Sequence, residues 1–538
     1  ERFGGSEPLS DLRTARGWPT GTLSTMRALL IGLTLIPLAA CSPAEPESAI
    51  PGLPDSAVEI IESAPYTNGI WGIHVTDAES GEVLVDYNSA TLLEPASVTK
   101  TYSVGAAWLK FGPDSTITTP VVRDGEVDGG SLDGDLVLVA KGDILMGGQT
   151  GPDGQVVFTD MDHNDANLLP GATITDNNPL AGLDDLAAQV KASGIDRIDG
   201  DVIIDDRLWV TRDLGENDGP VSPIVINNNL IDVVATPGEV GERASVEMRP
   251  EVAPWRVVNR VKTVAAGEDT GIELSSPEYG VILLRGTIAA DAEPQLKVEH
   301  FTDPPRFART AFIEALQRAG VQVSADPTAP NPQRQLPDQV EGLPEVAALE
   351  GLPLQENATY ILKVSYNRGA QTQVCLLAAS VGSTDCDDGF PEMAKVLGGA
   401  GLDTTQASLV DGSGLPGNFV TPTSVTQLMQ IFNARPDAQQ WQEAMPIMGV
   451  DGSVAEVQKD SPAAGKVFAK TGTLGAGDLL NQRLRVETKA LGGYIDAQSG
   501  RKLAIAIIVN QAMFDDLQGV FAANEDLGKI ATSLYEAY

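Results

Sequence analysis

Alternating apolar and polar positions in the last part of the chain predict strands of a sheet. Residues 466–473 alternate as an edge strand does, and residues 490–496 and 502–510 predict two further strands, which a polar turn joins. Apolar residues at helical spacing follow and predict a helix at the C-terminus. The C-terminal part therefore predicts three strands followed by a helix.

A second group of predicted elements lies near the start of the folded chain. Residues 70–76 and 82–87, separated by a turn at 77–81, predict a β-hairpin. Pro95 and the apolar run after it predict a helix that is buried on most sides, because proline suits the first turn of a helix. A short helix near Ser56 precedes the hairpin.

The middle of the chain has a different texture. Short β-branched runs separated by Gly, Asp and Asn, interrupted by one helical stretch at 183–193, predict an inserted β-rich part. Helical patterning returns at 305–319 and at 356–377. Residues 160–164 have the Asp-x-Asp-x-Asn order of a calcium loop. The glycine and final glutamate of such a loop are missing, which favours a solvated acidic loop.

Charge and composition exclude several classes of function. The 538 residues include 74 acidic and 36 basic side chains, and the formal charge of -38 argues against nucleic acid as a partner and against a basic lipid-binding patch. Three His and three Cys, without a CxxC or HExxH motif, leave little material for a metal site. We therefore predict neither a metal nor another cofactor.

The N-terminal segment resembles a bacterial lipoprotein signal. Residues 1–25 show no period and are interpreted as a disordered upstream leader, whereas residues 26–40 carry one Arg and an apolar run that ends before Cys41. A membrane-spanning anchor is the alternative, but this run is shorter than the ~20 apolar residues that cross a bilayer. The resemblance implies cleavage of the signal peptide before Cys41 and a lipid on its thiol.

A tether over residues 41–55, rich in Pro, Glu and Ser, would then lift the folded part off the membrane. These features predict an extracytoplasmic, membrane-anchored lipoprotein, in the periplasm or on the outer face of the cytoplasmic membrane.

One stretch pairs a hydroxyl with an amine. Ser97 and Lys100 lie three positions apart at the start of the predicted helix, so the amine can reach the serine oxygen. Burial, the positive helix end and any second cation lower the pKa of Lys100 toward that of a usable base. The pair predicts a nucleophile that is activated without His. Alone, the pattern also fits a helix cap followed by a solvated lysine.

Two further motifs follow in order. Ser365-x-Asn367 lies in the apolar helical region, and Lys470-Thr471-Gly472 lies on the predicted edge strand. With Ser97-x-x-Lys100, this set resembles the active site of penicillin-binding proteins and serine β-lactamases. Three more segments support a narrower resemblance: 222–229, 411–415 and 449–452. From about residue 70 to its end, the chain resembles the D-alanyl-D-alanine carboxypeptidases of peptidase family S13, the class C low-molecular-mass penicillin-binding proteins.

The resemblance implies a fold and a domain organisation. The fold is the mixed α/β (α+β) transpeptidase fold of penicillin-binding proteins and serine β-lactamases, an antiparallel sheet flanked by helices, with a β-rich insertion between the first and second motifs. We expect catalytic parts at 56–120 and 301–538 and the inserted part at 121–300. Residues 153–172 form an added loop relative to the family pattern.

The resemblance also implies chemical roles. Ser97 is the nucleophile, and Lys100 is the general base that takes its proton. Ser365 relays that proton to the leaving amine, and Asn367 donates a hydrogen bond to the substrate backbone.

Substrate binding falls to the third motif. Lys470 supplies a positive field and helps to keep Lys100 neutral, while Thr471 and Thr473 bind the terminal carboxylate. Gly472 leaves the strand edge open for the substrate. Backbone N–H groups of Ser97 and Thr473 form the oxyanion hole.

The implied activity is that of a serine-type D-Ala-D-Ala carboxypeptidase or DD-endopeptidase, a hydrolase acting on peptidoglycan stem peptides of the cell wall and inhibited by β-lactams. A dedicated β-lactamase is one alternative, but Ser365 follows Ser97 by 268 positions, far more than in simple β-lactamases. A lipoprotein that binds wall or β-lactam without turnover is the other, and the complete motif set argues against it. The balance of carboxypeptidase, endopeptidase and transpeptidase activity stays open.

The two remaining cysteines allow two interpretations. An oxidising location permits a disulfide between Cys375 and Cys386 that closes a short loop. Cys375 lies in an apolar run, so a buried free thiol fits equally well.

Overall fold

The structure, a computed structural model, describes residues 50–215, 218–516 and 518–538. Within these residues, apolar faces at helical spacing produce ten α-helices. They are α1 (Asp55–Ile61), α2 (Lys100–Phe111), α3 (Ala181–Ala192), α4 (Pro304–Arg318), α5 (Leu354–Lys363), α6 (Asn367–Ala379), α7 (Gly389–Gly399), α8 (Pro422–Asn433), α9 (Ala438–Glu443) and α10 (Gln518–Ala537).

Strands make up most of the remaining regular structure. They are β1 (Ile70–Asp77), β2 (Val83–Tyr87), β3 (Thr118–Asp128), β4 (Ser131–Val139), β5 (Arg197–Ile198), β6 (Val202–Asp205), β7 (Arg212–Asp213), β8 (Pro220–Val221), β9 (Leu230–Thr236), β10 (Ser245–Arg249), β11 (Arg256–Val264), β12 (Gly271–Glu278), β13 (Val281–Ala289), β14 (Gln295–His300), β15 (Gln322–Val323), β16 (Glu345–Glu350), β17 (Ala407–Ser408), β18 (Phe419–Val420), β19 (Val467–Asp478), β20 (Arg483–Asp496) and β21 (Lys502–Phe514).

A five-stranded antiparallel sheet joins the two ends of the described chain, in the order β19-β20-β21-β1-β2. The predicted hairpin supplies β1 and β2, and the predicted edge strand is β19, with β20 on one side of it. Because side chains alternate along a strand, the sheet has two apolar faces. One packs on α1 and α10 and the other on α2 and α8. The expected antiparallel sheet flanked by helices is therefore confirmed.

A separate β-rich core lies between the first and second motifs. A six-stranded sheet of β3, β4, β5, β6, β15 and β16 packs on α3 and α4, and two three-stranded sheets, β10-β9-β14 and β11-β13-β12, extend it.

The inserted part is longer than its predicted boundary at residue 300. Helix α4 packs on α3 and β6, and β16 pairs with β3 along five positions, up to Glu350. The sequence predicted a helix at 305–319, but its apolar face alone does not show which sheet the helix packs on. The strand pairing therefore assigns residues 301–350, which the sequence had placed in the second catalytic part, to the inserted part.

Three structural elements converge at one end of the five-stranded sheet. The N-terminal end of α2 contacts β19 through a 3-10 turn at Ala96–Thr99, and α2 packs on α5 and α6. The break between α5 and α6 carries the second motif. All three motifs predicted from the sequence therefore meet around the edge strand β19.

Candidate active site

Ser97 lies in a tight turn that the neighbouring strand and loop hold from two sides. The 3-10 turn Ala96–Thr99 leads directly into α2, and Ala96 has the left-handed φ of +47°. A Cβ added at Gly414 would lie 1.9 Å from the Ala96 carbonyl oxygen, and one at Gly472 would lie 2.2 Å from the Pro95 oxygen. Because they lack a side chain, both glycines let their own backbone pack closely against the turn that carries Ser97. For Gly472 this contact differs from the open strand edge that the sequence predicted.

Lys100 is fully buried and has three oxygen neighbours. Its Nζ lies 2.7 Å from Ser97 Oγ, 2.5 Å from Asn367 Oδ1 and 2.7 Å from the Ser413 carbonyl oxygen. A neutral amine has two N–H donors and one lone pair. The amide and carbonyl oxygens can accept only hydrogens, so they take the two N–H groups, and the lone pair faces the Ser97 hydroxyl. This arrangement suits a base that removes the serine proton.

Burial sets the protonation of this lysine. It lowers the pKa of Lys100 to about 8, and the carboxylates of Asp411, Asp218 and Asp165 oppose the shift. Burial also lowers the pKa of Lys470, and the charge of Lys100 adds to that effect. The sequence predicted that the charge of Lys470 helps to keep Lys100 neutral. Desolvation of Lys100 itself is instead the main cause of its lowered pKa.

Ser365 lies at a break in the helical region that the sequence predicted as continuous. Helix α5 ends at Lys363 and α6 begins at Asn367, and Ser365 between them has a φ of +61°. Its Oγ accepts a 2.9 Å hydrogen bond from Lys470 Nζ, which also donates to the Thr471 carbonyl oxygen. A left-handed conformation is costly for serine and is retained where surrounding structure imposes it. The break thus directs the Ser365 hydroxyl to the third motif.

Asn367 links Lys100 to the inserted part of the chain. Its Oδ1 accepts from Lys100, and its Nδ2 donates to Asp218 Oδ1 at 2.7 Å. An amide nitrogen has two hydrogens, so one remains for the substrate backbone that the sequence predicted as its partner. The amide therefore orients Lys100 as well as facing the cleft.

The two threonines of the third motif have different partners. The Thr471 hydroxyl lies 2.8 Å from Ser453 Oγ, and the exposed Thr473 accepts a 2.8 Å hydrogen bond from the buried Lys489. Each hydroxyl is therefore held in place by a hydrogen bond to a neighbouring side chain. They form the part of the cleft that suits a carboxylate, which accepts hydrogen bonds from hydroxyl donors.

A buried carboxylate organises the glycine-rich segment at 411–415. Asp411 accepts from the backbone N–H groups of Ser413, Gly414 and Leu415, at 2.9 to 3.0 Å, and from the Ser413 hydroxyl and the Asn418 amide. These bonds fix the Ser413 carbonyl that accepts from Lys100. The segment was recognised from the sequence, but its role in holding the base was not.

The added loop at 153–172 lies against the site. Asp160 accepts a 2.7 Å hydrogen bond from the backbone N–H of Gly452, and Asn164 contacts Arg368. Asp165 is near enough to Lys100 and Lys470 to act on their charges, and burial raises its own pKa to about 6.

The sequence interpreted residues 160–164 as a solvated loop, whereas Asp162 is buried and caps a short helical turn. The structure corrects that interpretation. Within residues 50–215, 218–516 and 518–538, no three His, Cys, Asp or Glu side chains converge on a possible metal position.

Several site residues were not found from the sequence: Asp165, Asp218, Ser453 and Lys489. None carries a local signal, because each is an ordinary polar residue of a loop or strand. Each becomes part of the site only through contacts across long sequence separations.

The structure decides between the disulfide and the buried free thiol that the sequence left open. Cys375 of α6 is bonded to Cys386, and both are buried beside Trp209 and Val221 of the inserted part. The predicted lipidation site, Cys41, lies outside the described residues, as do the predicted leader, signal and most of the tether. Among the helices that the structure describes, none is long and apolar enough to cross a membrane.

Comparisons with known proteins agree with this geometry. Residues 57–524 match the model of the D-Ala-D-Ala carboxypeptidase 3 (S13) family. The chain is 27% identical to the D-alanyl-D-alanine carboxypeptidase of Actinomadura sp. (strain R39), over 94% of this chain and 89% of that protein. It is 23% identical to the D-alanyl-D-alanine carboxypeptidase DacB of Haemophilus influenzae, over 83% of this chain and 86% of that protein.

The fold is also that of a solved structure. The crystal structure of penicillin binding protein 4 from Haemophilus influenzae superposes with a TM-score of 0.66 at 20% identity, covering 88% of this chain and 98% of that one. The family model covers most of the chain and includes all three motifs. The chain therefore belongs to the D-Ala-D-Ala carboxypeptidase 3 (S13) family.

Proposed function

We propose that the protein is a serine-type DD-peptidase that removes the terminal D-Ala from peptidoglycan stem peptides through an acyl intermediate on Ser97. The observation that carries this proposal is the position of Lys100, whose buried amine lies 2.7 Å from Ser97 Oγ while oxygens occupy its other two directions. An amine held in this way can accept the serine proton.

The first half-reaction forms the acyl-enzyme. Ser97 Oγ attacks the carbonyl carbon of the penultimate D-Ala as its proton moves to Lys100 Nζ. The C–N bond then breaks as Ser365 gives its hydroxyl proton to the leaving amine and takes up the proton held by Lys100, so that free D-Ala departs and Lys100 is neutral again. Ser365 suits this relay because its hydroxyl already accepts a hydrogen bond from Lys470.

The second half-reaction releases the shortened peptide. Water adds to the acyl carbon and gives up a proton to Lys100, and the bond from the carbon to Ser97 Oγ breaks as that oxygen regains a proton. If the bond cleaved is a D-Ala cross-link between two stem peptides, the same steps make the enzyme an endopeptidase.

The substrate is held at its terminal carboxylate. In a chain with a formal charge of -38, an anionic group needs local help, and Lys470 with the hydroxyls of Thr471 and Thr473 supplies it. Backbone N–H groups of Ser97 and Thr473 would stabilise the tetrahedral oxyanion, each contributing roughly 3 kcal/mol.

The test combines peptide hydrolysis with labelling by penicillin, which carries a similar carboxylate and acyl group. Mass spectrometry after incubation with diacetyl-Lys-D-Ala-D-Ala is expected to show loss of one D-Ala, and incubation with penicillin a long-lived adduct on Ser97. Ser97→Ala abolishes both, while Ser408→Ala, at an exposed serine of β17, changes neither. Rapid release of hydrolysed penicillin without peptide cleavage would instead identify a β-lactamase, and neither reaction would identify a binding protein.

We also propose that the mature protein is extracytoplasmic and attached to the membrane by lipid on Cys41. The apolar run that ends in Leu-Ala-Ala before this cysteine supports the proposal. Cells expressing the full chain and fed a labelled fatty acid should incorporate label into the wild type but not into Cys41→Ala. Equal labelling of both would refute the anchor and leave the peptidase activity unaffected.

A further inference from the structure

Lys489 lies beneath the part of the cleft that suits a carboxylate, in a position that the proposed mechanism does not use. It is on β20, directly opposite Thr473 of the edge strand β19. Paired residues of an antiparallel sheet project to the same face, so their side chains can meet. Lys489 is 2% exposed, and its Nζ donates a 2.8 Å hydrogen bond to Thr473 Oγ1.

This lysine is buried without a counterion. Among the described residues, no carboxylate lies within ion-pair distance of Lys489, although the chain has 74 acidic side chains. Burial alone lowers its pKa to about 7. Lys363 shows the usual solution, since it is also buried but its Nζ lies 2.7 Å from both carboxylate oxygens of Asp451. A buried amine without a carboxylate partner costs stability, whether it keeps its charge or gives up its proton, so its presence here indicates another use.

The hydrogen bond determines what the Thr473 hydroxyl can do. A hydroxyl has one hydrogen to donate and two lone pairs that accept. Lys489 occupies a lone pair on the buried side. The hydroxyl hydrogen is therefore directed away from the ammonium, and Thr473 itself is exposed on the cleft side. A free carboxylate is an acceptor only, so it can use a hydrogen presented in this way.

We propose that Lys489 is a positioning residue for the terminal carboxylate of the substrate: by donating to Thr473 Oγ1 it leaves the threonine hydrogen for the carboxylate. This inference rests on the proposed function, in which Thr473 binds the substrate carboxylate. It explains why an acidic chain keeps Lys489 buried close to Lys470 without a carboxylate beside it.

The experiment compares two substrates that differ only at the carboxylate. One is an N-acylated D-alanyl thioester of thioglycolate, and the other is the corresponding thioglycolamide, which has no negative charge. Lys489→Met keeps an unbranched side chain of similar length and removes the charge and the donors. We expect kcat/KM for the acid to fall about tenfold, mainly through KM, while kcat/KM for the amide stays within about twofold.

Two further variants isolate the route of the effect. In a Thr473→Val background, adding Lys489→Met should change kcat/KM for the acid by less than about twofold, because the hydroxyl through which the lysine acts is already gone. Lys459→Met, at an exposed lysine that pairs only with Glu456, is the control for loss of one positive charge and should leave both substrates unchanged.

Stability separates a positioning role from a structural one. Because Lys489→Met removes a buried amine that has no carboxylate partner, its Tm should equal or exceed that of the wild type. If the Met variant does not fold, Lys489→Gln, which retains an N–H donor without the charge, is compared on the same two substrates.

An equal loss on acid and amide, or no loss on either, would overturn the inference. Failure of the wild type to cleave either thioester would instead overturn the proposed function.

Discussion

Asp218 Oδ1 accepts a 2.7 Å hydrogen bond from Asn367 Nδ2, which joins the inserted part to the second motif across 149 positions of sequence. The other polar atom of the same amide holds Lys100 at 2.5 Å. A loop outside the catalytic sheet thus reaches the general base through a single side chain. The negative charge of Asp218 also raises the pKa of Lys100 and opposes the effect of burial.

Removing the charge of Asp218 should change the pH profile of acylation. Asp218→Asn keeps the size of the side chain and removes a carboxylate that stabilises the protonated form of Lys100. The midpoint of the profile should therefore move to lower pH. The measurement is the second-order rate of penicillin acylation against pH. Asp269→Asn, at an exposed position of the inserted part, makes the same change in net charge and should leave the midpoint in place.

The wild type should acylate faster as pH rises through about 8. Lys100 acts as a base only when it is neutral, and its neutral fraction grows about tenfold per pH unit below its pKa before it reaches a plateau. Labelled penicillin is mixed with enzyme from pH 6 to pH 9, and Ser97→Ala corrects for spontaneous opening of the β-lactam. A rate that is constant or falls over this range would exclude Lys100 as the base.

A methyl group at residue 472 should disable the site without unfolding the sheet. The Cβ of Gly472→Ala would lie 2.2 Å from the Pro95 oxygen, so β19 and the nucleophile turn must separate. Displacement of this size costs about a hundredfold in acylation rate. Gly475→Ala is the matched control on the same strand, because the nearest atom to its Cβ is 3.6 Å away. Equal rates for the two variants would show that contact at the Pro95 oxygen does not position Ser97.

The disulfide should stabilise α6 and the contact with the inserted part. Closing a loop between residues 11 positions apart stabilises the folded state by roughly 3 kcal/mol, through the entropy of the unfolded chain. Cys375→Ala with Cys386→Ala should therefore lower the Tm, as followed by circular dichroism. Reductant should lower the Tm of the wild type toward that of the double variant and leave the double variant unchanged. An unchanged Tm in the double variant would contradict the prediction.

The motif residues and their elements were predictable from the sequence because their signals are local. Spacing by three on a helix brings Ser97 and Lys100 together, and alternation along 466–473 indicates a strand whichever sheet receives it. The order of the three motifs then identified the fold and the family. Local patterns were less informative where a helix or strand could pack on either of two sheets, which is why the inserted part extends to Glu350 instead of residue 300.

Only the tertiary structure decided which polar groups surround the catalytic pair. Asp218 is one of 74 acidic residues, and Lys489 is one lysine on a strand; neither differs locally from residues that face solvent. Their roles arise where a loop crosses to α6 and where β20 pairs with β19, at separations that no short-range pattern encodes. The same contacts exclude water, and this burial is what lowers the pKa of Lys100 and Lys489. The sequence by itself thus determined the reacting groups, and the packing of distant segments determined their protonation and orientation.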